Sequence, residues 1–91
     1  MGLQIEWDAA KAASNLRKHR VSFEEAATAF DDPLSLTIPD REHSASEERL
    51  VLLGAATSGR LLVVVHTERG DSIRIISARK ATTRERKQYE A

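Results

Sequence analysis

Side chains able to bind an anion or move a proton gather in two places of this sequence. Ser77-Ala78-Arg79-Lys80 sets a hydroxyl and two cations just ahead of Thr82-Thr83-Arg84-Glu85-Arg86-Lys87-Gln88-Tyr89. If Thr82 or Thr83 caps a helix there, its free amides also favour an anion, and a phosphate would fit. The same residues admit a plainer account, in which Arg84, Arg86 and Lys87 form a solvated helix face with Glu85 and Glu90 while Tyr89 packs its ring on a sheet. Arg74 stands between Ile73 and Ile75, so it must reach water at a sheet margin or pair with an acid. The second place is Lys18-His19. At a helix end these cations suit the helix dipole and can cap carbonyls; histidine is also the side chain best suited to proton transfer near neutrality. His66, inside an apolar run, reads as a half-buried histidine with a proton-transfer base the alternative, and Trp7, beside a strand, reads as a core residue with base stacking the alternative.

Other chemistries lack their residues. There is no phosphate-cradling Gly-x-x-x-x-Gly-Lys loop, no Gly-rich dinucleotide turn, no His-Glu-x-x-His and no cysteine for a Cys/His pair. The three histidines, at 19, 43 and 66, fall in unlike elements, which argues against a zinc site, and no cofactor is expected. Without cysteine nothing asks for an oxidising compartment, and no apolar run approaches membrane-spanning length; a cytoplasmic protein with no membrane contact is the expectation. The 14 basic and 14 acidic residues cancel, but unevenly along the chain. Residues 22–48 hold eight acids against one base, and residues 69–91 hold seven bases against three acids. That asymmetry permits one basic face for a polyanion and an acidic face elsewhere, and is equally consistent with solvated surface of mixed sign.

The elements that must position these groups can be read from period and caps. Leu3 to Trp7 alternates like a strand, and Asp8 then caps a helix from Ala9 to His19 whose Ala9, Ala12, Ala13 and Leu16 share a face. Ser22 with Glu25 three residues on makes a capping box for a second helix, striped by Phe23, Ala26, Ala27 and Phe30 and ended by Asp31-Asp32-Pro33. Leu34 to Pro39 reads as a half-buried strand, Asp40 to Glu47 as a loop, and Arg49 to Ala56 and Arg60 to Glu68 as strands joined through Thr57-Ser58-Gly59. Arg69-Gly70 is the expected hairpin tip before a strand from Asp71 to Ala78. A two-residue turn there would pair His66 with Ile73 and put His66, Ser77 and Arg79 on one sheet face. The order β-α-α-β-β-β-β-α describes a single α+β domain over 1–91, with two N-terminal helices and a C-terminal helix packed on an antiparallel sheet of about four to five strands.

Two spaced motifs extend this picture. Trp7-Asp8-x-x-Lys11-x-x-x-Asn15-x-x-Lys18-His19-x-Val21-x-Phe23-Glu24-Glu25-Ala26, followed by Phe30-Asp31-Asp32, resembles the N-terminal half of BrnT-type toxins. Arg74-Ile75-Ile76-Ser77-Ala78-Arg79-Lys80-Ala81-Thr82-x-x-Glu85-Arg86-x-x-Tyr89 resembles the C-terminal signature of the same family. Arg20 departs from the glycine that usually follows the Lys-His pair, so a left-handed helix end would be strained here. The resemblance implies a RelE-like fold, a ribonuclease that inhibits translation, and a BrnA-like ribbon-helix-helix antitoxin through which operator DNA is bound. For metal-independent RNA cleavage the candidates are Arg74 and Arg79, then Lys18, as phosphate-stabilising cations, His19 and then Tyr89 for proton transfer, and Ser77 to orient the phosphate. The rival is a toxin-like module that binds antitoxin or RNA without cutting.

Overall fold

The computed structural model describes residues 4–43 and 47–91, so Leu3 of the expected first strand and residues 44–46 of the expected loop lie outside the described residues. Strand β1 (Gln4–Trp7) leads into helix α1 (Ala9–His19) and helix α2 (Phe23–Thr28), which tightens into a 3-10 turn at Ala29–Asp31. Strand β2 (Leu36–Pro39) and a second 3-10 turn (Arg41–His43) precede strands β3 (Leu50–Ala55), β4 (Leu61–Arg69) and β5 (Ser72–Lys80), and helix α3 (Thr83–Glu90) follows. The sheet runs β1-β5-β4-β3-β2. β2 through β5 pair antiparallel as expected, whereas β1 lies parallel to β5, because α1 and α2 carry the chain away from β1 before the meander begins.

Alternation along β4 explains the layering. Leu62 and Val64 point to a core with Val21, Phe23, Ala26, Ala29 and Ala78, so α1 and α2 cover that face. Leu61 and Val63 point the other way and meet Leu53, with Ala81 and Tyr89 packed on them from the α3 side. Val21 and Phe23 are fully buried; enclosing a side chain of that size contributes about 2 kcal/mol. The box expected at Ser22 has one arm, in which Ser22 accepts from the Glu25 amide, and the cap expected at Thr82 or Thr83 is a full box at Thr82.

Four expectations change. The hairpin tip is Gly70-Asp71, with Gly70 at φ 60 and Arg69 paired to Ser72. A turn with positive φ at its first central residue wants glycine there, and an Arg69-Gly70 tip would have forced that conformation on arginine. Second, the β4–β5 ladder shifts between Val65 and His66. Val65 pairs with Ser77 and His66 with Ile75, which leaves Ile76 as an extra bulged residue. Ser77 and Arg79 therefore share a face with Arg74 and with Val63 and Val65, while His66 points to the opposite face. Third, of the apolar stripe of α1 only Ala12 packs against the core, while Ala9, Ala13 and Leu16 are exposed. Leu16 is 48% exposed and Asn15 is the buried residue of the helix. β2 also departs from a half-buried strand, since all four of its residues are exposed.

Candidate active site

Helix α1 is built to hold its last turn firmly. The Asp8 carboxylate accepts the Lys11 amide at 3.0 Å, and the far end closes with Arg20 in the left-handed region at φ 59, its amide donating to the Leu16 carbonyl at 3.0 Å. Arg17, Lys18 and His19 crowd the last turn, where positive charge suits the exposed carbonyls. The strained Arg20 is locked from outside. The Arg60 guanidinium donates to the Arg20 carbonyl at 2.9 Å and also grips Glu25, which accepts from the Ser58 hydroxyl as well. Held mainly by Arg60, the Glu25 carboxyl falls to about 2.

Asn15 docks this helix onto β5. Its Nδ2 donates to the Ala78 carbonyl at 2.8 Å and to the Val21 carbonyl at 3.0 Å, and its Oδ1 accepts the Ala78 amide at 3.0 Å. β1 stops pairing at Trp7 opposite Ile75, so among the described residues the edge of β5 beyond that point has no strand beside it. The Asn15 amide supplies there what a neighbouring peptide group would have supplied.

Beside this contact lies an open, shallow pocket. Lys11, Ser14, Lys18 and His19 line it from α1, and Ile76 and Ser77 line it from β5, with Asn15 between them. Three of the six candidates, Lys18, His19 and Ser77, thus come together. Among the described residues, no hydrogen bond or ion pair engages the side chains of Lys11, Lys18 or His19. Two ammonium groups and an imidazole therefore face solvent beside a hydroxyl, a combination that can take an anion and exchange a proton.

The other three candidates are engaged. Arg74 pairs with Glu6 at 2.9 Å, and Glu6 also accepts from the Ser72 hydroxyl, which with Arg74 holds its carboxyl below the usual range. Arg79 forms a two-pronged pair with Glu85 at 2.9 and 2.8 Å and donates to its neighbour's carbonyl, Lys80, at 3.2 Å. Chiefly through Arg79, the Glu85 carboxyl drops to about 2. The Tyr89 hydroxyl donates to Asp32 at 2.6 Å, and this bond to a carboxylate raises its pKa. Asp32 also accepts from the Ala55 and Leu34 amides, so it ties α3 to β3 and to the chain leading into β2.

His66 is 2% exposed, packs edge-on against Phe30 at 4.8 Å, and has its basicity lowered by burial. Trp7 meets Phe23 edge-on at 6.0 Å, in the core role expected of it. Lys11, Ser14 and Asn15 were not among the candidates. The spacing Lys11-x-x-x-Asn15-x-x-Lys18 repeats at helical period and could have marked one face carrying all three. Among the described residues no three His, Cys, Asp or Glu side chains gather as metal ligands.

The pattern of these residues is that of a known family. The model described as "Ribonuclease toxin, BrnT, of type II toxin-antitoxin system" matches residues 7–85. No curated protein matches the chain. Among solved structures, the 1.1 Å crystal structure of the ribonuclease toxin BrnT of Brucella abortus superposes with a TM-score of 0.69. It is 21% identical, and the match covers 90% of this chain and 100% of that one, a likeness that shows the shared fold. With its helices, mixed sheet and family motifs accounted for over residues 7–85, this chain belongs to the BrnT family of ribonuclease toxins of type II toxin–antitoxin systems.

Proposed function

We propose that the chain is a metal-independent endoribonuclease acting at the pocket between α1 and the edge of β5. The observation that carries this is the convergence of Lys11, Lys18 and His19 with Ser77 in one solvent-open pocket of a ribonuclease-family chain. His19 takes the proton of a ribose 2′-hydroxyl as its oxygen attacks the adjacent phosphorus. The phosphorus–O5′ bond breaks, water protonates the departing oxygen, the hydroxide so formed takes the proton back from His19, and the products are a 2′,3′-cyclic phosphate and a 5′-hydroxyl. Lys11 and Lys18 offset the charge that grows on the phosphorane, and Ser77 donates a hydrogen bond to it. Arg74 and Arg79 lie on the Ser77 face of β5 with their charge shared by Glu6 and Glu85, so they serve to guide the RNA backbone rather than to act at the scissile phosphate. Tyr89, bound to Asp32, is a positioning residue for α3.

Such an enzyme works where RNA is translated, in the cytoplasm. A type II toxin has a protein antitoxin; we assign this one a BrnA-like ribbon-helix-helix partner, with operator DNA bound through the antitoxin. The test is cleavage of a mixed-sequence RNA by the purified chain, alongside His19→Ala and Lys18→Ala, with and without EDTA. His19→Ala should slow cutting by about a hundredfold or more while leaving the melting temperature unchanged, since no hydrogen bond holds that ring. Cleavage that survives His19→Ala refutes the assignment of the base. Loss on chelation that added metal restores refutes the mechanism, and a folded wild type that binds RNA without cutting it leaves the non-catalytic module as the answer.

A further inference from the structure

The sheet face opposite α1 and α2 carries an apolar groove left open among the described residues. Cross-strand pairing puts Leu36 beside Leu53 and Val63, and Ile38 beside Val51 and Val65, all on that face. Leu36, Ile38, Val51, Leu53 and Val63 line the groove, with Glu85 and Gln88 of α3 along one wall. Leu36 is 45% exposed and Ile38 62%, and Leu34 just before them is 69% exposed. Among the described residues β2 is also an edge strand, paired to β3 on one side and to no strand on the other. Long apolar side chains on an exposed edge are a liability that a lone chain avoids, and their presence marks a surface with an occupant.

Charge selects the occupant. The chain around β2 carries Asp31 and Asp32 before it and Asp40, Glu42, Glu47 and Glu48 after it, against Arg41 and Arg49. Pairing β2 with β2 of a second copy would bring two such acidic segments together, and an RNA backbone would be repelled. We infer that this groove and the β2 edge are the docking site for the antitoxin, received as an amphipathic segment with apolar side chains on one side and flanking lysines or arginines. The inference rests on membership of a toxin–antitoxin pair and not on the assignment of the nuclease residues.

The test uses the full chain co-expressed with the antitoxin encoded beside it, compared with a Leu36→Ser/Ile38→Ser variant. Both side chains are exposed, so the variant keeps its fold and its RNA cleavage, while antitoxin affinity falls by about tenfold or more and growth is no longer rescued. In the wild-type complex, the amides of residues 34–39 become protected from hydrogen exchange, a readout that needs no variant. Unchanged affinity with no protection of β2 overturns the inference. So does a wild-type chain that sediments alone as a dimer and becomes monomeric in the variant, because a second copy then fills the groove. If wild type captures no antitoxin at all, the partner itself is refuted; if the variant loses antitoxin while wild type never cuts RNA, the docking site stands and the nuclease assignment falls.

Discussion

Replacing Asn15 by alanine should be among the most damaging single changes in this chain. Asn15 is 6% exposed and makes three hydrogen bonds of 2.8 to 3.0 Å, all to backbone groups. Alanine leaves the Ala78 amide, the Ala78 carbonyl and the Val21 carbonyl without these partners. Each such buried group costs about 1–3 kcal/mol, and partial hydration through the adjoining pocket offsets some of that, so a net loss of about 4 kcal/mol is expected. For a domain of this size that corresponds to a fall in melting temperature of roughly 15–30 °C. Thermal and urea unfolding followed by circular dichroism would measure it. Asn15→Asp sharpens the test, since it keeps the acceptor for the Ala78 amide but aims a carboxylate at two carbonyl oxygens. Its folded-state pKa must then rise above the unfolded value, the folded state binds more protons, and stability improves as pH falls. A melting temperature within about 5 °C of wild type for Asn15→Ala, or an aspartate variant that is more stable at pH 8 than at pH 5, would refute the claim that this amide fastens α1 to β5.

Arg20→Gly should stabilise the chain by about 1 kcal/mol, because a side chain at φ 59 is strained where glycine is not; a lower melting temperature would show that the Arg20 side chain has a compensating role. Glu25 and Glu85 both have carboxyls at about 2, held down first by Arg60 and first by Arg79. Their folded values lie below the unfolded ones, so their contribution is complete above about pH 4.5 and is lost as pH falls towards 2. A Glu25→Gln/Glu85→Gln variant should therefore show a flatter acid limb in a pH series of melting temperatures, and an unchanged limb would count against both pairs. Tyr89→Phe should lower stability by about 1 kcal/mol through loss of the bond to Asp32, yet keep RNA cleavage within about threefold of wild type. Loss of cleavage at unchanged stability would return Tyr89 to the proton-transfer role.

Element type and order were legible because each helix announces its start with a capping residue and each strand its period. The register was not. Nothing local to Ile75-Ile76-Ser77 says that one residue bulges, because either isoleucine could face a core. The turn could have been placed correctly, since glycine belongs at the first central position, and that single step moves every partner of His66. The orientation of α1 was obscured for a different reason. Hydrophobic periodicity points its alanines and Leu16 inward, but the helix lies against a strand edge with unpaired peptide groups, and an amide serves that edge better than a methyl. That Lys18 and His19 would stand together at a helix end was recognisable from type and position. Which acids Arg74 and Tyr89 would meet was not, since Glu6 lies 68 residues from Arg74 and Asp32 lies 57 from Tyr89.

The place of the pocket follows from where β1 stops. Asp8 turns the chain into α1, so β1 has four residues and pairs with β5 only as far as Ile75. Further pairing would have run along Ile76 to Ala78 and closed the space. Instead the side-chain amide of Asn15 covers Ala78 alone, and Ile76 and Ser77 remain at the pocket wall under the last turns of α1. The bulge at Ile76 then sets Ser77 on the face shared with Arg74 and Arg79, away from the buried His66. The apolar groove opens on that same face, and β5 lies three strands from β2. At the usual strand spacing this is roughly 14 Å, a gap that about four or five extended residues cross. On the proposed docking at β2, an antitoxin would need only a short extension over the sheet to reach Arg74 and Arg79, and it would then inhibit by covering the proposed path of the RNA.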